Sequence, residues 1–168
     1  EPAHVVWLLF ERLSKQLVDG LGFIYEQVEL PIVEVLGTME RAGIRLDRER
    51  LAEIRLDIQA RLDAMEKRCH ELAGRPFKVG STKEVAVVLF DELGLPPSKK
   101  TKTGFSTDSS VLEKLVEQHP IAGAILEYRM LAKLVSTYLK KLPGYVAEDG
   151  RIHTSFNQAV AATGRLSS

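Results

Sequence analysis

The sequence predicts a mainly α-helical protein: a long antiparallel helical hairpin with short helices at its tip, followed by a small C-terminal β-hairpin. Three observations carry that expectation. Leu51, Ile54, Ile58, Leu62, Met65, Cys69 and Leu72 alternate spacings of three and four, a narrow coiled-coil-like seam over about residues 48–73. Ile121, Ala124, Tyr128, Leu131, Val135, Tyr138 and Leu142 repeat the pattern after Pro120. Beyond Pro143 the period falls to two, with Ile152, Thr154 and Phe156 alternating with His153, Ser155 and Asn157.

Each element has its own signals. Val6, Leu9, Phe10, Leu13 and Leu17 give an amphipathic helix over roughly residues 3–18, with Trp7 packed beside the stripe and Gly20 and Gly22 ending it. The pattern restarts at Phe23. Pro31 either kinks that helix or opens a new one, and Gly43 stops it after the apolar face of Ile32, Val35, Leu36 and Met39. Asp47 caps the first long helix, on the order of 40 Å in length, and Gly74 and Pro76 end it. Ser81 or Thr82 caps a short helix bearing Val85, Val88, Leu89 and Leu93. Thr107 or Asp108 caps another bearing Val111, Leu112 and Leu115. Pro143 and Gly144 close the second long helix, Glu148-Asp149-Gly150 is a turn, and Gly164 to Ser168 is expected to pair with the strand that follows it.

Lys+Arg and Asp+Glu both number 23, so overall charge favours no nucleic-acid partner and any attraction must come from clustering. Two clusters stand out. The loop from Pro96 to Thr107 carries Lys99, Lys100 and Lys102 among hydroxyls, Thr103, Ser106 and Thr107 included. It joins the two short helices at the hairpin tip. On the second long helix Arg129, Lys133, Ser136 and Lys140, with Thr137 beside them, form a stripe without acids roughly opposite the seam. Lysines and hydroxyls so placed suit a phosphate backbone, gripped without reading bases. A solvated surface accounts for the same pattern. Cys69, the single cysteine, excludes an internal disulfide and suits a reducing compartment. No apolar run approaches the roughly 20 residues of a membrane span. Both ends read as cut from a longer chain.

Arg151-Ile152-His153-Thr154-Ser155-Phe156-Asn157-Gln158, followed by Thr163-Gly164-Arg165-Leu166-Ser167-Ser168, resembles the first palm motif of family A DNA polymerases, the bacterial DNA polymerase I type. Glu29-Leu30-Pro31, Met39-Glu40-Arg41-Ala42-Gly43-Ile44, Leu93-Gly94-Leu95-Pro96 and Leu126-Glu127-Tyr128-Arg129 are similar to that family's thumb, in the same order. The resemblance implies three parts: the last helix of an exonuclease-like domain at 1–22, a helical thumb at 23–143, and the start of the palm, with its incomplete sheet, at 144–168. It implies that Ser81, the loop from Lys99 to Thr107, Lys133, Ser136 and Thr137 hold a primer–template duplex, alongside Arg129 from the stripe. Arg165 would reach the minor-groove edge at the primer end, with Ser167 nearby. Acceptors there look nearly alike for every base pair, so such a donor senses pairing without sequence preference.

The departures bound the function. The family's metal-binding aspartates and fingers helix lie beyond Ser168, so this segment has no catalytic residues and binds no metal. Mg2+ is expected for the complete polymerase, with palm and fingers supplied by the same or a complementing chain. His4 stands where proofreading relatives carry a metal-binding aspartate, which hints at a lost exonuclease. Lys78 and Gly80 stand before Ser81 where the family often has asparagine. The implied setting is replication and repair in the bacterial cytoplasm, at the nucleoid and away from membranes. The alternative is a helical protein-interaction module with a solvated basic tip. Salt-dependent duplex binding separates the two.

Overall fold

The computed structural model describes residues 2–17, 20–97, 100–101 and 104–168. Two compact units result: Leu46–Tyr145, and Glu1–Arg45 together with Val146–Ser168. The helix ending at Ala42 is bonded to the C-terminal segment, which joins these two stretches in one unit.

In the Leu46–Tyr145 unit, helix α4 (Arg48–Ala73) opens where the Asp47 carboxylate accepts the Arg50 N–H at 2.9 Å. It ends at Gly74, left-handed at φ 73°. Helix α7 (Pro120–Leu134) packs against it in the expected antiparallel sense. Ile58 and Leu62 meet Leu131, Val135 and Leu139, whereas Cys69, farther along α4, joins Ile121 and Ile125 at the start of α7. The seam of α4 is as read from the sequence, with Ile58, Leu62 and Cys69 buried.

The seam of α7 departs at its end. Residues Val135–Leu139 form a π turn, in which the Lys140 N–H reaches the Val135 carbonyl. The wider turn brings the fourth residue after Val135 back to the seam rather than the third. Leu139 is therefore 5% exposed and Tyr138, the expected seam residue, 50%.

The tip is a second core. Helix α5 (Thr82–Ala86) runs into a π turn at Val87–Glu92, and helix α6 (Ser109–Leu115) follows the basic loop. Val85, Val88, Leu89, Phe90, Val111, Leu112 and Leu115 close on Cys69, Phe77, Val79 and the first turns of α7. Ser81, not Thr82, is the cap: its hydroxyl accepts the Glu84 N–H at 3.4 Å, while the Glu84 carboxylate reaches back to the Lys78 N–H at 2.7 Å. Asp108 holds the N-cap position of α6. Arg75 clamps the Glu92 carboxylate through Nε at 3.0 Å and Nη2 at 2.5 Å, joining the end of α4 to the second π turn.

The other unit begins with helix α1 (Pro2–Leu13), on which no residue is buried. The expected packing of Trp7 is not found; it is 58% exposed and lies tilted against the Phe10 ring, ring centres 5.8 Å apart. Helix α2 (Leu21–Ile24), a π turn at Tyr25–Glu29 and helix α3 (Leu30–Ala42) run on without a break. Pro31 thus sits in the first turn of α3, directly after the π turn.

Strand β1 (Ile44–Arg45) pairs antiparallel with strand β4 (Arg151–Ile152), Ile44 opposite Ile152. Between them in sequence, within the basic loop, strands β2 (Lys100–Thr101) and β3 (Gly104–Phe105) also pair. The C-terminal hairpin expected between residues 152–156 and 164–168 is reduced to one bridge, Asn157 opposite Ser167. Its place beside β4 is taken by β1, because Gly43 leaves α3 at φ 61°, ψ 179°, a backbone nearly restricted to glycine.

A Cβ on Gly43 would lie 2.7 Å from the His153 ring and 3.0 Å from the Ile152 carbonyl. Gly43→Ala is therefore expected to destabilise this unit by at least about 1–3 kcal/mol, combining backbone strain with a clash. Chemical denaturation with amide exchange read at Ile152 checks this; unchanged protection there would place the strain elsewhere.

Candidate nucleic-acid interface

The side chains expected to meet phosphates divide sharply. Lys99, Lys102 and Thr103 lie outside the described residues. Lys100 is exposed on β2, opposite Phe105. Ser106 and Thr107, expected to be free hydroxyls, are 4% and 5% exposed. The Ser106 hydroxyl accepts the Asp108 N–H at 3.2 Å, which shapes the approach to α6. Arg129 is half-buried over Thr107: one guanidinium nitrogen donates to the Thr107 carbonyl and another to its hydroxyl at 3.0 Å. Burial holds the Arg129 pKa below its ordinary value, partly offset by Asp108. These three residues form an internal clamp from α7 to the basic loop, where the sequence suggested ligand contacts. A buried carbonyl and hydroxyl require donors, and the guanidinium fork satisfies both.

What remains free on α7 and the turn after it is a shorter patch. Lys133, Ser136, Thr137 and Lys140 are exposed, with the Ser136 hydroxyl donating to the Lys133 carbonyl at 3.4 Å. The π turn, illegible in the sequence, determines how Ser136, Thr137 and Lys140 are presented.

Beside the loop, a cleft of about 740 Å³ is lined by Thr82, Lys83, Val87, Asp91, Phe105 and Asp108. Its mixed charges give no single-sign field for an anion. Ser81 is half-buried and spends its hydroxyl on the α5 cap.

Around the C-terminal segment the geometry is polar and dense. Arg165 is exposed, one residue after Gly164 (φ 74°) and two before Ser167, whose N–H and carbonyl exchange bonds with Asn157 at 3.1 and 2.7 Å. Phe156, next to Asn157, donates its N–H to the Glu40 carboxylate at 2.6 Å. The Gln158 amide donates to the Glu29 carbonyl at 3.0 Å and carboxylate at 2.7 Å. Arg151 donates to the carbonyls of Ala42 and Gly43 at 3.2 and 3.3 Å.

The His153 ring lies between the Glu40 carbonyl at 2.7 Å and the Asp149 carboxylate at 3.0 Å. Both partners only accept, so the ring needs both protons to satisfy them. Its pKa is accordingly raised, first by the Glu40 carbonyl and then by Asp149. The carboxyl of Asp149 is lowered, first by His153 and then by the Arg151 N–H.

No group of three His, Cys, Asp or Glu side chains among the described residues can hold a metal ion. The Cys69 thiol, fully buried and beside Glu66, is pushed up to about 11 and is inert as a nucleophile. Among the described residues no helix is long and apolar enough to cross a membrane.

A family model described as DNA polymerase family A matches residues 48–168. The chain belongs to DNA polymerase family A. This family A chain is 45% identical over 168 residues to DNA polymerase I of Bacillus subtilis, covering 99% of this chain and 19% of that protein. It is 47% identical over 173 residues to the thermostable DNA polymerase I of Thermus thermophilus, covering 100% of this chain and 21% of that protein. The chain thus spans about a fifth of the length of these curated relatives. Among solved structures, the POL domain of Pol1 from M. smegmatis, in complex with DNA primer-template and dNTP, superimposes with a TM-score of 0.82. It is 38% identical and covers 95% of this chain and 28% of that one.

Two expectations follow for the family A chain. Arg129→Ala should destabilise it by about 1–3 kcal/mol without any DNA present, because a buried carbonyl and hydroxyl lose their donors. Arg129→Lys should recover little, lacking the fork. Equal stability of all three proteins in denaturant titrations would return Arg129 to the free surface.

The second expectation is a pH window. His153, raised in the fold, stabilises fully below its ordinary value of about 6.5 and loses that contribution as pH rises through its folded value. Asp149, lowered in the fold, stabilises above its ordinary value of about 3.9 and loses that contribution as pH falls through its folded value. Amide protection at Phe156 and Arg151 should therefore peak between about pH 4 and 6.5, and His153→Ala should flatten the alkaline side. A profile without that alkaline decline would show His153 to be neutral in the fold.

Proposed function

We propose that this family A chain is the duplex-gripping part of a DNA-directed DNA polymerase used in replication and repair in the bacterial cytoplasm. In this reading residues 23–143 are the thumb, 144–168 begin the palm, and 1–22 are the last helix of a preceding exonuclease-like domain. Lys100, Lys133 and Lys140, with Lys99 and Lys102 of the loop, would meet phosphates. Ser136 and Thr137 would add neutral hydrogen bonds, and Arg165 would contact the minor-groove edge at the primer end. The single observation that supports this most is that a structure 38% identical over 95% of this chain is one held with primer-template and dNTP. The exposure of Lys133, Ser136, Thr137 and Lys140 on one outer patch agrees with it.

Catalysis would belong to other parts of the complete polymerase. Mg2+ there would stabilise charge on the transferring phosphoryl group. Among the described residues no side-chain group offers a ligand set for the ion, and the part proposed for this segment is to bind and orient. Phosphate contacts supply affinity without information, and a minor-groove donor checks pairing without preferring a sequence.

Duplex binding should accordingly be weak and indifferent to sequence, with log affinity falling against log salt at about −0.9 per phosphate contact. Replacing Lys100, Lys133 and Lys140 by Ala together should flatten that slope by up to about 3 contacts' worth while moving stability by no more than about 0.5 kcal/mol. Fluorescence anisotropy with unrelated duplexes at several salt concentrations tests both. Binding that ignores salt would favour a protein-interaction module with a solvated basic surface, and strong preference for one sequence would argue against a copying enzyme.

A further inference from the structure

We infer that Glu40 is a positioning residue for Arg165, acting through the Phe156–Gln158 segment. The inference rests on the reading of Arg165 as the minor-groove contact. Arg165 reaches solvent from a backbone tied on both sides. Gly164 closes a turn onto the Ala161 carbonyl at 3.0 Å, and Ser167 exchanges two backbone bonds with Asn157. The place of Arg165 therefore follows the place of Asn157. In an extended chain successive N–H groups point to opposite sides. Asn157 spends its N–H on Ser167, so the neighbouring Phe156 N–H points the other way, onto the Glu40 carboxylate at 2.6 Å.

Glu40 holds the segment a second time, since its carbonyl meets the His153 ring at 2.7 Å. Glu29 holds it once more through Gln158. Apolar packing adds little in this unit, where Leu36 is the one buried hydrophobic side chain among the described residues. The carboxylate of Glu40 is thus the charge-assisted anchor one residue from the Asn157–Ser167 bridge.

The test uses the complete polymerase, with single-turnover extension of matched and mismatched primer ends. Small misplacements at a reacting end are costly, so Glu40→Ala should slow matched extension by about 10-fold. Primer–template affinity should change by less than about 2-fold, because phosphate contacts remain. Mismatched extension should slow less than matched. Glu40→Gln, which keeps an acceptor oxygen, should recover most of the rate. Glu40→Asp, which withdraws the carboxylate by one methylene, should not; this pair carries the test even if Glu40→Ala fails to fold. On an Arg165→Ala background, Glu40→Ala or Glu40→Asp should add little further loss, as residues acting through one another are non-additive. Full additivity, or equal slowing on both primer ends when Arg165→Ala itself discriminates, would overturn the role of Glu40. Arg165→Ala slowing both ends equally would instead overturn the reading of Arg165, and this inference with it.

Discussion

The narrowness of the apolar seam on α4 is the constraint on which the Leu46–Tyr145 unit depends. In a helix of 26 residues only Ile58, Leu62 and Cys69 are buried. A helix so polar gains most of its stability from a partner rather than from propensity. That partner must be antiparallel, because the chain returns through short tip helices and the same seam has to be covered along its length. Hence the tip core forms at one end, around Cys69 and Ile121, and the stalk core at the other, around Leu62 and Leu131. The π turn at Val135–Leu139 is the adjustment that keeps α7 on the seam as it ends.

The other unit solves a different problem with different means. With little apolar surface buried, its C-terminal segment is held to α3 by carbonyls and carboxylates: Glu40 to Phe156, Glu29 to Gln158, Ala42 and Gly43 to Arg151. Such bonds are directional where apolar contacts are not. If the segment presents Arg165 to a duplex as proposed, acceptors that fix both distance and direction serve it better.

The parts legible in the sequence were those with a period or a terminator. The seam of α4, the Asp47 cap, the Gly74 stop and the short tip helices all carry such signals, and each is found. The sequence was silent wherever a contact joins distant residues. Ile44 and Arg45 are too short a pair to alternate, so β1 could not be read as the partner of β4. Arg129 matched the lysine stripe by spacing, yet spacing does not reveal that Thr107, 22 residues earlier, lies beneath it. Tyr138 was expected on the seam because an α-helix was assumed to its end, and nothing in Val135-Ser136-Thr137 announces a π turn. The Ser81 to Glu84 spacing did contain a capping signal, which could have decided between Ser81 and Thr82.

Charge is the level at which these pieces combine. A chain with 23 basic and 23 acidic residues has no net attraction for an anion, so any grip depends on which charges are already engaged. On α4 three of the five arginines are engaged, Arg50 with Glu53, Arg61 with Glu127 and Arg68 with Glu71, while Arg75 after it meets Glu92. Arg129 is turned inward. Among the described residues Lys133 and Lys140 enter none of these pairs and stay exposed on the second arm of the hairpin. The forks of Arg75 and Arg129 thus join parts of the scaffold, where fixed geometry matters, and Lys133 and Lys140 face outward, where a backbone of regularly spaced charges needs no fixed geometry. Arg165 fits the same logic from the other side. It is an outward-facing fork, and it sits where the proposed function requires direction as well as charge.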